Sequence, residues 1–180
     1  MTLLDHLREH REALAQEWVE RIFRTYPLET VGFLRKSDDP FSNPAGVKTR
    51  QAVVTLTAAL LEPGLDSEAV RGPVDDIMRV RSVQDFTPSQ AVAVMFFAKS
   101  VVRDHLKKQK LLDSFAPELL QFESKIDTLA LLAMDVHASC REQLFEFRVK
   151  EVKRQQSQVI RLAKLKCEIP AEEPDPDRPF

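Results

Sequence analysis

Apolar residues recur every three or four positions along most of the chain, the period of an α-helix that buries one face. Leu3, Leu7, Leu14, Trp18 and Ile22 form the first stripe, with Ala15 and Val19 beside it, while Arg8, Glu9, Arg11, Glu12 and Glu17 stay outside. The spacing predicts a helix over 2–24, stopped at Tyr26-Pro27 because the residue before a proline resists the α region. A short helix fits 28–34. The stretch from Lys36 to Pro44 is dense in turn residues, and Asn43-Pro44 supplies an N-cap and first position for a helix to about Leu61. Val47, Val54 and Leu61 would share its inner face, and Glu62-Pro63-Gly64 ends it. A shorter helix is expected from Pro73, carrying Val74, Ile77 and Met78.

The clearest local signal lies further on, at Thr87-Pro88-Ser89-Gln90. Thr87 reads as an N-cap, Pro88 as the first helical residue and Gln90 as the reciprocal partner of a capping box. The helix it starts runs to about Leu106, with Ala91, Met95, Ala98 and Val102 on one side and Phe96, Phe97 and Val101 widening the stripe. It should form the centre of the core. Lys107 to Lys110 is a basic break. A long final helix then enters through Pro117. Phe122, Ile126, Leu129, Ala133, Val136, Cys140, Leu144 and Phe147 mark its core stripe. Beyond them Phe145, Val149, Val152, Gln156, Val159 and Ala163 keep coiled-coil spacing among Arg148, Lys150, Lys153, Arg154, Arg161, Lys164 and Lys166. At about 1.5 Å per residue this last element would reach roughly 70 Å. The expected organisation is a helical domain over 1–147, a basic helix over 148–168 and a disordered, acidic, proline-rich tail over 169–180.

Composition agrees with an all-α bundle. Glycine occurs 4 times in 180 residues, and the 11 prolines fall at joints and in the tail, an economy that suits helices over a sheet with many turns. A net charge of -2 gives no general attraction to nucleic acid or an anionic membrane. The most apolar run, Ala91 to Ala98, is too short to span a bilayer, and charged residues interrupt the N-terminus where a signal peptide would be apolar. Two distant cysteines make no disulfide framework, so a reducing cytoplasm is the expected compartment.

Candidate chemistry is sparse. No phosphate-binding loop, nucleophile elbow, metalloprotease helix or dinucleotide turn is present, so no catalytic residue and no cofactor is expected. His6 and His10 lie four apart, a spacing that can hold a transition metal on one helical face. The sequence places no third ligand beside them, and no metal site is expected. His105 reads as a cation complementing a helix C-terminus, and His137 falls beside the core stripe. Nothing else in the sequence supports either as a haem ligand. Cys140 reads as an inert core thiol and Cys167 as an exposed one with a modestly lowered pKa. Arg79, Arg81, Gln84 and Asp85 crowd the joint before Thr87. They form either a polar network fixing the joint or a site for an anion or small effector.

Several stretches together resemble the RsbRD N-terminal domain, the N-terminal module of RsbR-type RsbT co-antagonist proteins. They are Trp18 to Pro27, Phe33-Leu34, Asp39-Pro40-Phe41-Ser42-Asn43-Pro44-Ala45-Gly46 and, most specifically, Arg79 to Ala91. The resemblance covers roughly residues 4 to 145. It implies an all-helical sensory or interaction module, with a globin-like fold lacking haem as in related sensory domains. Such a module usually precedes an output domain with phosphorylatable threonines. In this chain the basic helix and acidic tail are expected in that place, and no phosphorylation site is carried over. The expected function is a non-enzymatic regulatory module that meets protein partners, including a second copy, through Val149, Val152, Gln156 and Val159. Two other readings are an accessory subunit docking on a larger, redox-type assembly and a small-ligand or haem-binding protein.

Overall fold

The computed structural model describes residues 2–36, 39–84 and 86–168, apart from the side chains of Lys36 and 164–168. Among the described residues there are seven helices and no strand: α1 (Leu3–Glu9), α2 (Arg11–Phe23), α3 (Leu28–Lys36), α4 (Pro44–Leu60), α5 (Ser67–Ser82), α6 (Pro88–Lys108) and α7 (Ala116–Glu168). The fold is all-α, as the periodicity predicts. None of these helices is long and apolar enough to cross a membrane. The chain divides into two compact units, Met1–Arg141 and Glu142–Phe180. The expected tail, 169–180, lies outside the described residues.

In the first unit α2 packs on α4 and α6, and α5 packs on α4 and α6. Trp18 is 2% exposed, and its indole Nε1 donates to the Val94 carbonyl of α6 at 2.8 Å, so the largest core side chain has its one polar atom satisfied. Arg21 joins Asp104 across the same pair of helices at 2.9 Å. Helix α7 contributes Phe122, Ile126, Leu129, Ala133, Val136 and Cys140 to the core. Its Glu123 is buried against α6 and accepts from both Nε and Nη2 of Arg103, the latter at 2.7 Å.

Local chemistry explains the helix ends. Asn43 caps α4 by accepting from Gly46 N–H at 3.0 Å, with Pro44 at the first position. Thr87 and Gln90 form the expected capping box: Thr87 Oγ1 accepts from Gln90 N–H at 3.3 Å and Gln90 Oε1 accepts from Thr87 N–H at 2.9 Å. Helix α6 closes in a Schellman turn, with Leu111 N–H donating to Leu106 at 2.9 Å and Lys110 in the left-handed region at φ 59.

Five expectations need correction, among them Phe96 of α6, which is 42% exposed and no part of the buried stripe. The first helix breaks at His10. The His6 carbonyl, which would take the His10 N–H in an unbroken helix, accepts from His10 Nδ1 at 3.0 Å instead, and the N–H turns to Leu7 O. Helix α5 starts at Ser67, well before Pro73, because Asp66 accepts from both Glu68 and Ala69 N–H. Pro73 has no backbone donor, so one bond is missing within α5, at the carbonyl of exposed Ala69. The inner face of α4 is Thr49, Ala52, Val53, Leu56, Thr57 and Leu60, while Val54 is 58% exposed. The buried stripe of α7 stops at Cys140, and Phe147, in the second unit, is 68% exposed.

Replacing Thr87 by Ala removes an N-cap acceptor and should lower unfolding free energy by about 1 kcal/mol in denaturant titration. An unchanged midpoint would contradict the cap assignment.

Candidate functional site

The joint before α6 gathers four helix segments. Arg81, in the last turn of α5, is 1% exposed. Its Nη1 donates to Thr25 Oγ1 just past α2, and its Nη2 donates to the Gln90 carbonyl in the first turn of α6, both at 3.1 Å. The guanidinium lies 3.8 Å from the Phe86 ring centroid and 5.6 Å from that of Tyr26, and those two rings meet edge to face. Burial pushes Arg81 below its usual pKa, against an opposing influence from Tyr26. Burial also pushes the Tyr26 phenol up, opposed by Arg81 and Gln84. From α7, Arg141 Nη1 donates to the Ser82 carbonyl at 3.1 Å.

Of the four residues singled out at this joint, Arg81 and Gln84 come together around Tyr26. Arg79 is exposed and pairs with Asp75 one turn back, which raises its pKa. Asp85 lies outside the described residues. Sequence reasoning missed Thr25, Tyr26 and Phe86 as members of the network. The signal was there: Tyr26-Pro27 and Phe86-Thr87 both place an aromatic ring at a helix boundary. Two buried atoms of the network, Arg81 Nε and Gln84 Oε1, have no hydrogen-bond partner among the described residues.

The histidines separate. His137 is 2% exposed, and its pKa is lowered by burial first and then by Arg141 and Arg81. His105 turns inward at the end of α6 to meet His6 and His10, with ring centroids 5.5 Å and 4.7 Å away. The third histidine that the sequence did not place beside His6 and His10 is therefore supplied by the fold. Cys140 is buried 3.9 Å from Asp75, and burial followed by that carboxylate raises its pKa, the condition of an unreactive thiol. The Cys167 side chain lies outside the described residues.

A groove of about 730 Å³ runs between α2 and α4, floored by Ala15, Val19, Phe23 and Ala58 and edged by Arg35 and Glu12. Its size suits a small organic molecule. It went unseen in the sequence because Val54, which lines it, carries the same periodic signal as a core residue.

In the second unit, Val149 is half-buried, Val152 and Val159 are 52% and 65% exposed, and Gln156 is exposed. Phe145, Ile160 and Leu162 are exposed near them. Arg148, Lys150, Lys153, Arg154 and Arg161 make the surroundings basic, with Lys150 and Arg154 paired to Glu146 and Glu151 on the same helix.

His137 gives a pH dependence. Its folded pKa lies below the ordinary 6.5, so the unfolded chain binds the proton more readily. The stabilisation is complete above about pH 6.5 and is lost as pH falls below it. The melting temperature should drop between about pH 7 and pH 5, and His137→Gln should remove part of that drop. An identical slope in the variant would contradict a buried neutral imidazole.

An uncharacterized protein from Archaeoglobus fulgidus is 26% identical over 146 residues, which cover 78% of this chain and 83% of the relative. No solved structure matches the chain. The family model described as the RsbT co-antagonist protein rsbRD N-terminal domain matches residues 12–152, a span that takes in the capped joint, the Arg81 network and most of α7. The chain belongs to the RsbRD N-terminal domain family.

Proposed function

We propose that this chain is a non-enzymatic regulatory module of cytoplasmic stress signalling, acting by protein–protein contact through residues 142–163. Membership of the RsbRD N-terminal family supports the regulatory part of this reading. The observation that carries the contact surface is the exposed apolar seam on α7. Val152 and Val159 are 52% and 65% exposed, at positions that repeat with heptad spacing from Phe145 to Ala163. Such a repeat is complementary to itself. The occupant is therefore a second copy of the chain, with Gln156 at a seam position fixing the register of the pair. The joint of Arg81 and Gln84, which Arg79 and Asp85 neighbour in sequence, is the site at which a signal would bias α7. Arg141 of α7 holds the Ser82 carbonyl there. A second reading, receipt of a small molecule, is favoured by the groove between α2 and α4.

Light scattering on the full chain tests the output surface. A dimer is expected, and Val152→Glu with Val159→Glu should convert it to a monomer while leaving thermal unfolding of the bundle unchanged. A wild-type monomer at the highest soluble concentration would contradict self-pairing.

A further inference from the structure

We propose that His6, His10 and His105 bind one divalent transition-metal ion of the zinc class, held between the α1–α2 corner and the last turn of α6. One nitrogen from each of the three lies within 4.8 Å of the others. Metal–nitrogen bonds of about 2.0–2.1 Å bring ligand atoms to roughly 3.3 Å in a tetrahedral site. The rings must draw in by about 1.5 Å, a shift that imidazole rotation can supply because His10 and His105 are only half-buried.

The individual rings point the same way. His6 is 4% exposed, and among the described residues nothing hydrogen-bonds its Nε2. A buried polar atom left so is costly, and a metal bond would relieve it. His10 Nδ1 is 3.0 Å from the His6 carbonyl, an atom that can only accept. The proton therefore sits on His10 Nδ1, and the lone pair on its Nε2 is free to ligate. A backbone carbonyl orienting a histidine in this way is a recurrent outer support of metal sites. Gln109 Nε2 lies 3.3 Å from His105 Nε2, and its exposed side chain can give way to a cation. Phe115 stacks on His6 at 6.0 Å and covers the apolar side.

The donor set also selects the ion. Three imidazoles without a carboxylate suit zinc, copper or nickel and do not suit magnesium or calcium, which require oxygen. With three protein ligands, the fourth position of a tetrahedral ion stays open to solvent or a further ligand. The break at His10 acquires a reason, because the imidazole that interrupts the helix is the one presented to the ion. The proposal stands apart from the output surface: it requires nothing of residues 142–163.

The test uses the full chain without an affinity tag. Cobalt(II) is titrated in and followed by its visible d–d absorption, then displaced with zinc(II), and zinc binding is measured by calorimetry. The expected result is one ion per chain, the band pattern of four-coordinate cobalt, and at least about tenfold weaker binding in both His10→Gln and His105→Gln. Far-UV circular dichroism confirms that each variant is folded, and both positions are partly exposed, so neither substitution opens the core. Absence of the cobalt band in the wild type would overturn the site. So would zinc affinity in His105→Gln equal to that of the wild type, since the ion would then be held by other groups and the three rings would be an aromatic cluster only.

Discussion

The guanidinium of Arg81 is the contact on which one end of this bundle depends. It is almost fully buried, and it reaches two different elements at once, the hydroxyl of Thr25 after α2 and the carbonyl of Gln90 in α6. Removing such a charge from water costs several kcal/mol. Hydrogen bonds to a charged group return about 1.5–3 kcal/mol each, and a desolvated cation over a ring about 2 more. The two sums are close. The net gain is therefore small, and what the arrangement secures is a defined geometry among α2, α5 and α6. The aromatic faces of Phe86 and Tyr26 lie against the guanidinium.

The capping box of α6 belongs to the same construction. Gln90 serves it twice: its side chain closes the box with Thr87, and its carbonyl receives Arg81. The cap thus fixes the backbone that the buried cation must find. Arg141 adds α7 by holding the Ser82 carbonyl at the end of α5. A helix terminus leaves carbonyls without partners, and here an arginine from another helix supplies one. Interactions of this kind carry little apolar area, yet they determine how the helices meet.

Much of the fold was legible in the sequence wherever the determinant was local. Thr87-Pro88-Ser89-Gln90 and Asn43-Pro44 announce their helices because a cap is built within four residues. The α7 stripe through Cys140 was legible because one face repeats for several turns. The errors occurred where a distant partner decided the outcome or a local side chain outweighed the expected signal. Periodicity does not distinguish a covered valine from an uncovered one, hence the misassignment of Val54. Pro73 reads as a helix start unless the stronger cap at Asp66 is weighed against it. The break at His10 depends on a side chain taking the place of a backbone donor. At the joint, Arg81 and Gln84 were found, but Tyr26 and Phe86 join them only through folding, and Arg79 faces elsewhere. The His6, His10 and His105 cluster was unreadable for a similar reason: helices α2 to α5 and most of α6 lie between His10 and His105 in sequence.

The joint suits the regulatory role proposed for it. An element held by balanced, directional contacts can shift between arrangements at modest cost. A core of interlocked apolar side chains offers no such freedom. The central claim is that the planar fork of Arg81 defines the joint, and its most direct measurement is denaturant unfolding of Arg81→Lys. Lysine keeps the charge but cannot donate to Thr25 and Gln90 while lying flat on Phe86. A loss of at least about 2 kcal/mol is expected. A difference below about 0.5 kcal/mol would show that charge alone suffices and would contradict the claim.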